Sequence, residues 1–383
     1  MRRVFLALIL VCFSVRGFAQ VDNAEAGLRQ IMEQKKAVGL AVAVVKDGKI
    51  VYTRALGLKD VEQNLPLSEN DLFRIASISK SFSATSVMQL VEAKKMSLDD
   101  DFSKLVGFTV RNPKFPDKVI TLKMVLSHTS SILDRNGYFN LDVIHPDKNP
   151  NWQKCYADYA PGTQYTYCNL NFNLVGAVIE RATGQRFDQY VKRHILDPLG
   201  LYGGYCVDSL DRSKFVTLYE YSAGSSTFTP SPAAYAPRSE EIKSYVMAQS
   251  TPVFSPTGGM KISARDLATY MLMHLNQGRY PGGRILSKKS AKLMQTPVVK
   301  TTDVSHYGLA LRTAGNLIPG EVLVGHTGSA YGLYSAMFFH PKEKFGFVVM
   351  TNGCHTTSSE DEIRDILHLT MRSLYENVVK VGK

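Results

Sequence analysis

Tryptophan occurs once in the 383 residues, at position 152, and cysteine only five times. Four cysteines remain beyond the first residues; an exported chain can pair some of them, but a chain of this length does not need a disulfide framework. The spacing of Cys155, Cys168, Cys206 and Cys354 matches no zinc pattern, and no His-Glu-x-x-His occurs, which argues against a metallohydrolase. Gly-x-Ser-x-Gly is also missing, and with it the nucleophile elbow of the α/β-hydrolases. Beyond the first residues no stretch approaches the roughly 20 apolar residues of a membrane-spanning helix, so no stable membrane insertion is expected. Internal repeats and low-complexity linkers are absent. The charge excess of +11 is not gathered into a block: Lys288-Lys289-Ser290-Ala291-Lys292 is the densest basic patch and reads as a solvated helix face, not a nucleic-acid site.

What is present is ordinary globular material, 44% hydrophobic and 21% charged, behind an export-like start. Met1-Arg2-Arg3, the apolar run Val4 to Val15, and Gly17-Phe18-Ala19 before Gln20 have the three parts of a secretory signal peptide over residues 1–19. Its removal takes Arg2, Arg3 and Arg16 and lowers the balance from +11 to +8. Cys12 invites a lipid-anchor reading, but Val11 is bulky for the residue before a processed cysteine. A periplasmic or secreted protein is expected.

Downstream, Asp47-Gly48 between Gly39–Val45 and Lys49–Tyr52 signals a hairpin. Val322–Val324, Tyr334–Phe339 and Phe345–Met350 read as further strands. Ser359-Glu360-Asp361-Glu362 reads as a capping box for a last helix running to about Tyr375. Between them lies a mostly helical region with one long loop, Asp134 to Gly162, placed to overhang a site.

Chemistry concentrates in three patches. Ser77-Ile78-Ser79-Lys80 is the only Ser-x-x-Lys in the chain, and Ser81 to Lys95 after it reads as an amphipathic helix with Phe82, Val87, Leu90 and Val91 at helical spacing. Ser and Lys three apart share one helix face, so an amine sits beside a hydroxyl and can take its proton. Tyr167-Cys168-Asn169 precedes the helical stretch Phe172–Glu180. If the tripeptide is extended, Cys168 points away from the face bearing Tyr167 and Asn169 and belongs to the core. Val322–Val324 runs into His326-Thr327-Gly328-Ser329.

Ser-x-x-Lys, Tyr-x-Asn and [Lys/His]-Thr-Gly in this order resemble the serine β-lactamase and penicillin-binding family, in its class C-like branch of carboxypeptidases, esterases and D-aminopeptidases. Supporting phrases are Phe73-Arg74-Ile75-Ala76-Ser77, Leu126-Ser127-His128-Thr129-Ser130, Pro198-Leu199-Gly200-Leu201 and Thr257-Gly258-Gly259-Met260 leading to Ser263-Ala264-Arg265-Asp266-Leu267. The resemblance implies an α+β fold, an antiparallel sheet flanked by helices plus an all-helical lobe. It places the α/β lobe at about 20–75 and 250–383 and the helical lobe at about 76–249. It implies Ser77 as nucleophile and Lys80 and Tyr167 as proton carriers, with Tyr167 drawn toward phenolate by a neighbouring ammonium. Asn169 would hold Lys80 and the substrate in register. The backbone N–H groups of Ser77 and Ser329 would form the oxyanion hole, with His326, Thr327 and Gly328 completing the substrate-binding strand. No cofactor or metal is expected, the partner is a small-molecule or peptide substrate, and a monomer is expected.

Two departures matter. His326 stands where β-lactamases of this branch carry lysine; a mostly neutral imidazole can donate a hydrogen bond to a carboxylate or ester but is no fixed cation. Ser131 stands where the family usually has glycine. His128 is expected beneath the site, in a structural role. The function expected is an exported serine hydrolase of peptides, amides or esters, with a class C-like β-lactamase and a non-catalytic sensor of the same fold as alternatives. Trp152, Tyr156 and Tyr159, and the stretch Arg238–Gln249, are candidate pocket walls.

Overall fold

The computed structural model describes residues 23–357 and 363–381, so the signal-peptide and Cys12 expectations and the capping box at 359–362 lie outside the described residues. The frame is an antiparallel sheet of nine strands. In chain order they are β1 (Gly39–Lys46), β2 (Lys49–Asp60), β3 (Leu65–Pro66), β4 (Val299–Thr302), β5 (Ser305–Tyr307), β6 (Arg312–Ile318), β7 (Glu321–Ala330), β8 (Leu333–His340) and β9 (Phe345–Thr351). In space they run β4-β5-β6-β7-β8-β9-β1-β2-β3, so the two ends of the chain meet at the β9–β1 pair. The β1–β2 hairpin turns where expected, with Asp47 at φ +52° and Gly48 at φ +79°, the left-handed pair that a tight two-residue connection needs.

Strand alternation divides the hydrophobic residues between two cores. Leu40, Val42 and Val44 of β1 join Ala24, Leu28, Ile366, Leu367 and Met371 on one face of the sheet. That layer is built from helix α1 (23–34) and a last helix over Asp365–Leu374, whose end agrees with the sequence expectation. Ala41, Ala43 and Val45 point the other way, into a larger core with Leu267, Met271 and the helical region. The outcome is the α+β arrangement expected, sheet and helices packed around the site. Among the described residues no helix is long and apolar enough to cross a membrane.

Helix α2 (Ser79–Glu92) corrects one expectation. It starts before Ser81 and is not amphipathic: every residue from Ser79 to Met88 is buried. Ser81, Ser83, Thr85 and Ser86, which look polar in sequence, bond to Ile78 O, Pro256 O, the Tyr270 hydroxyl and Phe82 O. Small hydroxyl residues with satisfied bonds can line a buried helix on the faces that apolar periodicity leaves blank. Helix α3 (Asn169–Thr183) packs beside α2. At its far end the buried carboxylate of Glu180 accepts bonds from Phe187 N, Ala248 N, Thr251 Oγ1 and the Tyr245 hydroxyl, clamping the 245–251 segment onto α3.

Candidate active site

Ser77 lies in a short 3-10 turn, Ala76–Ile78, that feeds directly into α2. Ala76 takes a left-handed φ of +48°, an uncommon conformation for a residue with a Cβ, and presents Ser77 to the cavity in front of the sheet. One turn later Lys80 points back: its Nζ is 3.1 Å from Ser77 Oγ, 2.9 Å from Asn169 Oδ1 and 3.0 Å from Thr257 O. The side chain is completely buried. Burial lowers its pKa from 10.5 to about 7, while the Asp134 carboxylate and Cys168 partly counter the shift. Near neutrality this amine is available as a base.

Tyr167 is placed by an extended segment that ends at the start of α3. Its ring centroid is 4.7 Å from Lys80 Nζ and 4.4 Å from the His128 ring. The expectation of a phenolate is corrected here. Burial raises the pKa of Tyr167 well above 10, and the nearby Ser77 hydroxyl offsets only part of that. The buried hydroxyl completes no hydrogen bond of ordinary geometry. A protonated phenol beside a lysine of pKa about 7 suits Lys80 as the acceptor, as the Ser-x-x-Lys spacing suggests, and Tyr167 as a donor.

Asn169, the first residue of α3, is held from both sides. Its Oδ1 accepts from Lys80 Nζ and, at 2.9 Å, from Thr257 Oγ1. Its Nδ2 donates one of its two N–H groups to Asp134 Oδ2 at 3.0 Å, and the residue also lines the cavity. Asp134 also accepts from the backbone N–H of Asn169 and Leu170, filling donors that a helix N-terminus leaves open. Cys168 sits between the two site residues in extended conformation, fully buried, its thiol donating to Asp134 Oδ1. It faces the core as expected, and burial keeps it a thiol.

His128 lies under the site, 1% exposed, with Nδ1 accepting from Cys168 N and its ring against Tyr167, Phe172 and Tyr307. The backbone at Ser131 has φ +62°, which is why a glycine suits that position; here the serine Oγ compensates by accepting from Asn112 Nδ2.

The third patch is the end of β7. Among the described residues its pairing with β6 runs from Glu321 to Gly325, while pairing with β8 continues to Ala330. The stretch beyond Gly325 therefore keeps one edge open toward the cavity. A Cβ on Gly328 would lie 2.2 Å from Ile75 O and 2.5 Å from Ser335 Oγ, so only glycine lets the strand approach the Ser77 turn this closely. His326 departs from its expected role. Nδ1 is 2.6 Å from Thr327 O, which can only accept, so Nδ1 carries the proton and Nε2 accepts from the Tyr307 hydroxyl at 2.9 Å. Both ring nitrogens are used inside the protein. Burial, then the charge of Lys80, lowers its pKa to about 3, and it stays neutral.

The cavity these residues enclose measures about 720 Å³. Tyr138 and Phe139 from the long loop, Tyr165, Tyr307 and Tyr331 give it aromatic walls, with Arg74, Arg312 and Glu220 as charged members. Trp152, Tyr156 and Tyr159 do not line it, nor does the 238–249 stretch, which correct the wall expectations. Tyr156 is instead 3% exposed in the core. Asp134, Thr257 and Arg312 carry no motif signature of their own; Thr257 stood in a supporting phrase, and its role emerges only when the chain closes on Lys80.

The Beta-lactamase family matches residues 24–371. Penicillin-binding protein 4 of Amycolatopsis lactamdurans is 28% identical over 353 residues, covering 86% of this chain and 84% of that protein. Protein flp of Staphylococcus aureus (strain MW2) is 25% identical across 82% of this chain, which spans 59% of that longer relative. Esterase EstB of Burkholderia gladioli is 31% identical over 205 residues, 49% of this chain and 52% of that one. The solved structure of EstCE1, a hydrolase with promiscuous acyltransferase activity, superimposes with a TM-score of 0.73 at 21% identity, over 93% of this chain and 98% of that one. The chain belongs to the Beta-lactamase family and is a serine hydrolase of that family.

Proposed function

We propose that this chain is an exported hydrolase that cleaves a peptide, amide or ester through a Ser77 acyl-enzyme, in the manner of a carboxypeptidase or esterase. The observation that carries the reading is the buried Lys80 amine, 3.1 Å from Ser77 Oγ with a pKa lowered to about 7. Ser77 Oγ attacks the substrate carbonyl carbon as its proton passes to Lys80. Negative charge collects on the carbonyl oxygen, where the N–H groups of Ser77 and Ser329 stabilise it. Collapse expels the leaving group, which takes the proton of the Tyr167 hydroxyl while Lys80 returns its own to Tyr167. Water then enters by the same route and releases the acid.

The neutral, internally bonded His326 supports this reading over a β-lactamase, because the strand offers no fixed cation at that position. Arg312, opposite Gly325 on β6 and lining the cavity, supplies a guanidinium for a substrate carboxylate. The matches to a penicillin-binding protein and an esterase support the same substrate range. Export rests on the residues 1–19 pattern.

The test is turnover by wild type and Ser77→Ala of short-chain p-nitrophenyl esters, D-amino-acid-terminated peptides and a chromogenic cephalosporin. Ser77-dependent release from ester or peptide, with slow or no cephalosporin opening, is expected. Cephalosporin opening that outpaces every ester and peptide would replace this reading with the β-lactamase one.

A further inference from the structure

Behind the catalytic cavity, Phe73–Arg74 pairs with Lys261–Ile262, and Arg74 stands directly opposite Lys261. Residues opposite one another on an antiparallel pair share a face, and like charges placed so are destabilising. Both are buried, Arg74 at 7% exposure and Lys261 at 3%. Their hydrogen bonds go to carbonyl groups: Lys261 Nζ to Tyr205 O at 2.7 Å, Arg74 Nε to Gly258 O at 3.0 Å and Nη1 to Ala234 O at 3.1 Å. The Tyr331 ring covers the guanidinium at 5.0 Å. Carbonyls and a ring satisfy donors without cancelling charge. Among the described residues neither cation meets a carboxylate. Arg238 adds a third positive group and pairs with Glu241, while Asp208, the acid that acts on Lys261, accepts from Arg238 N. Buried charge without a counter-charge is costly.

These side chains border a second, much smaller cavity of about 10 Å³, lined by Arg74, Lys261, Arg238 and Ser255 among others. That is room for a single particle the size of a water molecule. Ser255, 5% exposed, stands between this cavity and the catalytic one, lining both, and its hydroxyl forms no hydrogen bond. We propose that this cavity is an anion site for one monatomic halide, chloride in ordinary media, held by Arg74, Lys261 and the Ser255 hydroxyl. The occupant supplies the missing counter-charge and the missing acceptor together, and a space of about 10 Å³ favours a monatomic ion over phosphate or a carboxylate. Without it, burial and the charge of Arg74 push Lys261 toward the neutral amine. The site borders the catalytic cavity: Arg74 grips Gly258 O, and the neighbouring Thr257 O holds Lys80.

The experiment is thermal melting of the full mature protein in sodium chloride and in sodium gluconate at equal ionic strength, with a bromide soak of crystals read by anomalous scattering. A saturable rise of about 2 °C or more in chloride is expected, since a ligand that binds only the folded state raises Tm. So is an anomalous peak between Arg74 and Lys261. The rise should vanish in Lys261→Met. Ser255→Ala, which keeps both cations, should need several-fold more chloride for the same rise and serves if Lys261→Met does not fold. Equal melting in the two salts with no bromide peak in this cavity would overturn the proposal, as would a chloride increment that Lys261→Met leaves unchanged.

Discussion

Asp134 grips Asn169 twice, accepting from its backbone N–H at 2.9 Å and from its Nδ2 at 3.0 Å. The pair sets which face of the Asn169 amide meets Lys80, because fixing Nδ2 on Asp134 turns Oδ1 toward the amine. The same carboxylate raises the pKa of Lys80 against the larger effect of burial.

Replacing Asp134 with Ala should therefore do two separable things. It removes the acceptor at the start of α3, with a stability loss of about 1–2 kcal/mol. It also removes a charge that favours the Lys80 ammonium, so the acid limb of the kcat/KM profile should move to lower pH. A Tm drop with an unmoved acid limb would show that Asp134 only supports the fold.

The titration of Lys80 gives a second check. Its folded pKa of about 7 lies below the ordinary 10.5, so between these values the unfolded chain holds a proton that the folded chain lacks. Stability must rise with pH in that window and show no contribution from Lys80 below it. Melting of wild type against Lys80→Met from pH 7 to pH 10 should show wild type gaining on the variant. Parallel curves would mean that Lys80 stays charged. Activity should rise through a pKa near 7, and Lys80→Arg, which cannot shed its proton, should lose about 10²-fold or more.

Gly328 is a steric test of the strand. A methyl group there would meet Ile75 O and Ser335 Oγ well inside contact distance. Gly328→Ala should push β7 from the Ser77 turn and lower kcat about 10²-fold, through misplacement of the oxyanion donors. A near-native kcat in a folded Gly328→Ala protein would remove β7 from the account.

Much of this was legible in the chain, for definite reasons. The strands around Asp47-Gly48 and the last ones of the chain were readable as apolar, β-branched runs, because the sheet is covered on both faces and β1, β8 and β9 are buried along nearly their whole length, whereas β6, with Gly315 and Asn316 in its middle, offers no such run. Ser77, Lys80, Tyr167 and Asn169 stood in short motifs, and the fold brings them around one cavity. Three of the four line it, with Lys80 just beneath. Protonation states were not legible, because they depend on burial: periodicity suggested an exposed face for α2, so the full burial of Lys80 could not be read, and Tyr167 looked like the group to be shifted. The bonds of His326 were hidden for a related reason, since Tyr307 is 19 residues away and meets it only through the turn of the sheet. Asp134 sat in a loop rich in polar residues, where a helix-capping carboxylate does not stand out.

The central claim, that Ser77 becomes acylated, is tested most directly by intact mass after exposure to a fluorophosphonate and to a p-nitrophenyl ester. The account predicts one phosphonyl adduct per chain in wild type, none in Ser77→Ala, and an ester-derived acyl adduct that decays as product forms. An adduct that persists in Ser77→Ala, or ester turnover that survives the substitution, would contradict it.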